Sequence, residues 1–104
     1  MLRVFSVKQG DQFSFTVTFK NLQEDLTTLT MGVKRDYNDA MLITKSLGNG
    51  ITKIETGKYR VDFTPEETEA LIPSYYVFDL RMTLGTVVFT PLYGYLNIME
   101  TVFE

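Results

Sequence analysis

The chain has 104 residues, 10 Lys plus Arg against 13 Asp plus Glu, a formal charge of −3, and 44% apolar residues. This describes one folded domain, residues 1–104, and excludes a disordered chain, which lacks the apolar surface to offset its ordering entropy. With neither Cys nor His, the chain cannot build disulfides, thiol nucleophiles, imidazole bases or ordinary zinc centres.

Residues 2–7 read as a short strand closed by Gly10-Asp11. Phe13, Phe15, Val17 and Phe19 then alternate with Ser14, Thr16 and Thr18, giving the clearest strand, with one apolar and one hydroxyl face. A polar connection over 21–25 leads to Leu29, Met31 and Val33, alternating with Thr28, Thr30, Gly32 and Lys34. Residues 41–47 form a further strand of weaker pattern. Gly48-Asn49-Gly50 is a turn, 51–54 a short strand, Glu55-Thr56-Gly57 another turn, and Tyr59, Val61 and Phe63 alternate again.

Thr64-Pro65-Glu66-Glu67 carries a capping box with Thr64 at N-cap, Pro65 at N1 and Glu67 at N3. It predicts a short helical turn near residues 65–72, with Ala70, Leu71 and Ile72 as the apolar side and Pro73 as the stop. Tyr76, Phe78, Leu80, Met82 and Leu84 alternate next, Gly85-Thr86 turns a hairpin, and 87–99 returns, bent or bulged at Pro91 and Gly94. The Phe13/Phe15/Val17/Phe19 and Tyr76/Phe78/Leu80 faces are the expected core. Seven or eight short strands at such spacing predict an all-β antiparallel β-sandwich, with a closed barrel as the alternative. The helical connection suits a crossover between sheets.

No catalytic, cofactor-binding or metal-binding residue is assigned. Glu66, Glu67 and Glu69 offer carboxylates for hydrolysis, but helix capping accounts for them. Asp36-Tyr37-Asn38-Asp39 lacks calcium-loop spacing and reads as a polar connection. Gly48-Asn49-Gly50 lacks the Lys-Ser/Thr of a phosphate loop. Asp62 with Arg60 and Asp79 with Arg81 are expected as surface ion pairs. Among the tyrosines, Tyr75, Tyr76, Tyr93 and Tyr95 stand out. Tyr76 shares the inward register of Phe78, whereas Tyr93 and Tyr95 oppose Leu92, Leu96 and Ile98 and point outward. Tyr93 and Tyr95, with Phe103, are the candidate interface.

The cations are scattered and the pI is near 4.9, which argues against a nucleic-acid partner. No apolar run approaches the roughly 20 residues that span a bilayer, and MLRVFSVKQGD has no apolar core of leader length. Neither a membrane nor a nucleic acid is expected as a partner.

The order of motifs is similar to a known family. Gln9-Gly10-Asp11 runs into the alternating strand 13–19, and Asp25-Leu26-Thr27 opens the next segment. Gly57, Tyr59 and Phe63 precede Thr64-Pro65-Glu66-Glu67-Thr68, then come Tyr76 to Leu80 and Gly94 to Ile98. From about Gln9 to Glu100 this resembles the Ig-like β-sandwich domains of tailed-bacteriophage virion proteins, similar to the N-terminal domain of baseplate upper proteins. Pro73-Ser74-Tyr75 departs from the Gly expected before the tyrosine strand, and no receptor-binding continuation follows. The resemblance implies a non-enzymatic structural protein of the virion, a capsid decoration or a neck, tail or baseplate adaptor. It implies other virion proteins as partners, self-association at sheet edges, and synthesis in a bacterial host cytoplasm. A carbohydrate-binding or adhesion module is the alternative.

Overall fold

The computed structural model describes residues 1–103. In chain order it contains β1 (Leu2–Lys8), β2 (Phe13–Thr18), β3 (Thr28–Lys34), β4 (Met41–Leu47), β5 (Gly50–Glu55), β6 (Lys58–Phe63), α1 (Pro65–Glu69), β7 (Ser74–Leu84) and β8 (Val87–Met99). The strands follow one another in space as β1-β8-β7-β3-β4-β5-β6-β2.

This succession forms two layers. Five strands, β1-β8-β7-β3-β4, make one, and β5-β6-β2 make the other. Between β4 and β5 the pairing is limited to Ser46↔Gly50 and Leu47↔Ile51, because Gly48-Asn49 turns the chain through a corner. The two outermost strands face each other through rings: Phe5 of β1 stacks on Phe15 of β2 at 4.5 Å. They share no ladder among the described residues, so closure is by side chains and the fold is a sandwich rather than a barrel. Counting strands along the chain, β8-β7-β3 are the G-F-C trio and β5-β6-β2 the D-E-B trio of an Ig-like sandwich. A second hallmark agrees. Tyr76, near the start of β7, donates its hydroxyl to Ile72 O at 2.6 Å, the tyrosine corner of that fold.

Alternation explains the core. Leu29, Met31 and Val33 on β3, Tyr59, Val61 and Phe63 on β6, Tyr76, Phe78 and Leu80 on β7, and Leu92, Leu96 and Ile98 on β8 are all buried. Each fully buried large side chain stabilises the fold by about 1.5–3 kcal/mol through apolar transfer. The capping box also forms: Glu67 N donates to Thr64 Oγ1 at 3.2 Å, and Thr64 N donates to Glu67 Oε1 at 2.9 Å.

Four expectations change. The sandwich is not wholly antiparallel, since β1 lies parallel to β8 from Leu2↔Tyr93 to Lys8↔Met99. Gly94 permits that approach: a Cβ there would stand 1.9 Å from Arg3 O. The helix ends at Glu69, because Ile72 precedes Pro73 and is driven out of helical geometry. Ile72 is exposed. The turn docks through Leu71, which is buried in the core as expected, and through buried Thr68, which accepts from Gly10 N at 3.1 Å and donates to Asp11 O at 2.8 Å. Phe13, Phe15, Val17 and Phe19 face inward but are only partly buried, because β2 is an edge. Finally, Arg60 bridges Asp62 at 3.1 Å, whereas Asp79 and Arg81 form no ion pair among the described residues.

Candidate interaction face

The outer face of the five-stranded sheet is built by register. Paired residues share a face, so Leu2, Tyr93, Asp79, Gly32 and Thr44 form one row across β1, β8, β7, β3 and β4. Val4, Tyr95, Val77 and Lys34 form the next. Tyr75 stands beyond, opposite Asn97, and meets Tyr95 edge-on, with ring centroids 6.3 Å apart and planes at 89°. The Arg35 guanidinium donates to Tyr75 O at 2.8 Å and fixes this end of β7.

Tyr93 and Tyr95 are therefore outward, as their register predicts, at 41% and 43% exposure, with Tyr75 at 56%. The apolar side chains of Leu2 and Val4 are also exposed beside them. Phe103 does not join the group. It lies past β8, is 92% exposed, and stacks on none of these rings.

Two contributors escape sequence reading. Tyr37, in the β3–β4 connection, rises beside the sheet. Partial burial pushes its phenol above the ordinary value, and the Asp79 carboxylate, Tyr95 and Tyr93 push it further. It stays a protonated donor at neutral pH. Gly32 lets the Met41 thioether lie close against the sheet, 2.8 Å from where a Cβ would stand, and a cleft of about 240 Å³ lies beside it between Lys34, Tyr37, Met41, Val77 and Asp79. Tyr75 was findable from its parity with Val77 and Asp79. Tyr37 carried no periodic signal.

This face offers phenol donors, apolar side chains and a shallow cleft. Among the described residues one carboxylate, Asp79, lines the cleft, so no carboxylate pair for acid–base chemistry is assembled from them there. The Glu66/Glu67/Glu69 cluster is likewise committed. Glu67 binds Lys45 Nζ at 2.5 and 2.7 Å as well as the Thr64 backbone. The Asp36–Asp39 segment is a local turn, with Tyr37 N donating to Asp36 Oδ1 at 2.7 Å and Asp39 N to Asp36 O at 3.0 Å.

No family model and no curated protein sequence matches this chain. Among solved structures, it is similar to a chain of the ZIG-8–RIG-5 IG1–IG1 heterodimer, with 9% identity and a TM-score of 0.49, over 96% of this chain and 84% of that one. Strand order, register and the Tyr76 corner carry the fold assignment without that likeness.

Proposed function

We propose that this Ig-like domain is a non-enzymatic binding module, and that it docks a protein partner across the outer face of the five-stranded sheet. The observation that carries this reading is the concentration of Tyr75, Tyr93, Tyr95, Leu2 and Val4 on one exposed, strand-paired surface. Tyrosines give large contact area and a hydrogen-bonding tip at small entropic cost, and they dominate protein interfaces. The perpendicular Tyr75 and Tyr95 rings make an uneven surface. It suits interlocking side chains better than the flat platform of a sugar-binding module.

The motif order shared with tailed-phage Ig-like domains supports a finer proposal: the partner is another virion protein of capsid, neck, tail or baseplate. Peptide mass spectrometry of purified virions tests it. The wild-type chain should be present at a fixed ratio to the capsid subunit. A Tyr93→Ala/Tyr95→Ala variant should keep its unfolding midpoint yet be lost from particles, since each anchor contributes about 2 kcal/mol or more. Absence of the wild-type chain from virions defeats the virion reading. Undiminished incorporation of the folded variant defeats the face. Glycan binding by the wild type alone would favour the adhesion module.

A further inference from the structure

β2 ends its layer, and among the described residues its only ladder is with β6, in unbroken register from Phe13↔Phe63 to Thr18↔Lys58. Phe19 N donates to Gly57 O at 2.7 Å, continuing that ladder. Backbone direction alternates along an antiparallel strand. The odd positions of β2 therefore turn to β6, and Ser14, Thr16 and Thr18 aim their N–H and C=O groups at the open edge.

Native sheets blunt such edges with Lys, Pro, bulges or a covering segment. The β1 edge carries Arg3 and Lys8. Residues 13–18 carry no charge, Pro, Gly or register shift, and all are good strand formers apart from Ser14. Beside this edge, next to the Phe5–Phe15 stack, a hollow of about 310 Å³ is lined by Met1, Arg3, Thr16, Thr18 and Phe19.

We infer that β2 pairs edge to edge with β2 of a second copy, making a two-fold dimer whose β5-β6-β2 layers run on as one continuous sheet. The strand is complementary to itself. A two-fold axis normal to the sheet gives antiparallel pairing with like faces on the same side. Centred on Thr16, this register sets Thr16 opposite Thr16, Ser14 opposite Thr18, and Phe15 opposite Val17. Hydroxyl meets hydroxyl and apolar meets apolar, the pairings that stabilise a ladder. Every outward backbone group of Ser14, Thr16 and Thr18 gains a partner. The flanks agree in charge, since Asp11 precedes β2 and Lys20 follows it, and the register sets each Lys20 opposite Gln12, one residue from the other copy's Asp11. The tyrosine face is untouched, and the axis points both faces the same way. The dimer is then bivalent for the proposed partner, but its existence does not depend on that partner.

Sedimentation equilibrium and amide hydrogen exchange test this together. At high micromolar concentration the wild type should approach twice the 12.0 kDa chain mass, with Ser14, Thr16 and Thr18 amides protected only in the dimer. Thr16→Lys places like charges opposite each other. Thr16→Pro removes an outward N–H while sparing the β6 ladder. Each should weaken dimerisation by about tenfold or more. Thr52→Lys, on exposed β5 in the same layer, should not. If Thr16→Pro fails to fold, Thr16→Lys decides. A monomeric wild type, a dimer without those three protections, or a dimer retained by folded Thr16→Lys overturns the inference.

Discussion

Lys45→Met should expose how the corner between the layers is held. Lys45 enters the interior from β4 with 6% of its surface exposed. Its Nζ bonds both Glu67 carboxylate oxygens and lies 5.1 Å from the centre of the Phe63 ring. Methionine keeps most of the apolar stem and removes the ammonium. Stranding one partner of a fully buried pair costs about 3–5 kcal/mol. Here the Glu67 side chain is 29% exposed and keeps the Thr64 N–H at 2.9 Å, so water and the cap offset part of the loss. A cost of ~1.5–3 kcal/mol at neutral pH follows. The pH dependence supplies a second signature. Burial alone would raise the Glu67 carboxyl, but the Lys45 hydrogen bond, the Thr64 backbone and the Lys45 charge outweigh it and hold it below the ordinary glutamate value of 4.5. A carboxyl depressed on folding contributes stability that is full above its unfolded value and is lost as pH falls through the folded one. The wild-type advantage over Lys45→Met should therefore shrink below about pH 4.5. Urea unfolding at neutral and acid pH reads both quantities. A neutral-pH difference under ~0.5 kcal/mol, or one that does not change with pH, would refute the reasoning.

Two further outcomes follow from burial and hydrogen bonding. Phe78→Ala, at a site 1% exposed, should cost ~3–5 kcal/mol, and Phe15→Ala on the half-open β2 edge only ~1–2.5 kcal/mol. Equal losses in denaturant melts would mean that β2 is covered. Tyr76→Phe removes the hydroxyl bonded to Ile72 O at 2.6 Å and should lower stability by about 1 kcal/mol. An unchanged thermal midpoint would show that the corner is packed without being anchored.

Period-two alternation made most strands legible, because a half-buried ladder imposes one apolar residue in two. Residues 41–47 were faint for a physical reason: Lys45 occupies an inward position that an apolar residue would normally mark, and its carboxylate lies 22 positions away on α1. Glu67 was readable as a cap but not as that partner. The parallel β1–β8 pairing left no local trace, since strand direction is decided by distant partners. Tyr93 and Tyr95 could be placed by parity. Tyr37 and the cleft beside Gly32 depend on how a connection folds back over the sheet. The partial burial of Phe15 depends on which strand ends a layer, and alternation says nothing of that.

The parallel seam has a consequence for the order in which the molecule is made. The Met1 amino group reaches Pro91 O, 90 positions away, and among the described residues β1 finds its only ladder on β8. Within this domain β1 therefore waits for β8, and the five-stranded layer cannot be finished until both strands have left the ribosome. β2 and β6 can meet well before that. Such long-range pairing places folding on the slow, millisecond-to-second side of small domains. Throughout that interval a growing chain presents the unblunted β2 edge to its neighbours, at the stage when strand exchange between nascent copies is easiest.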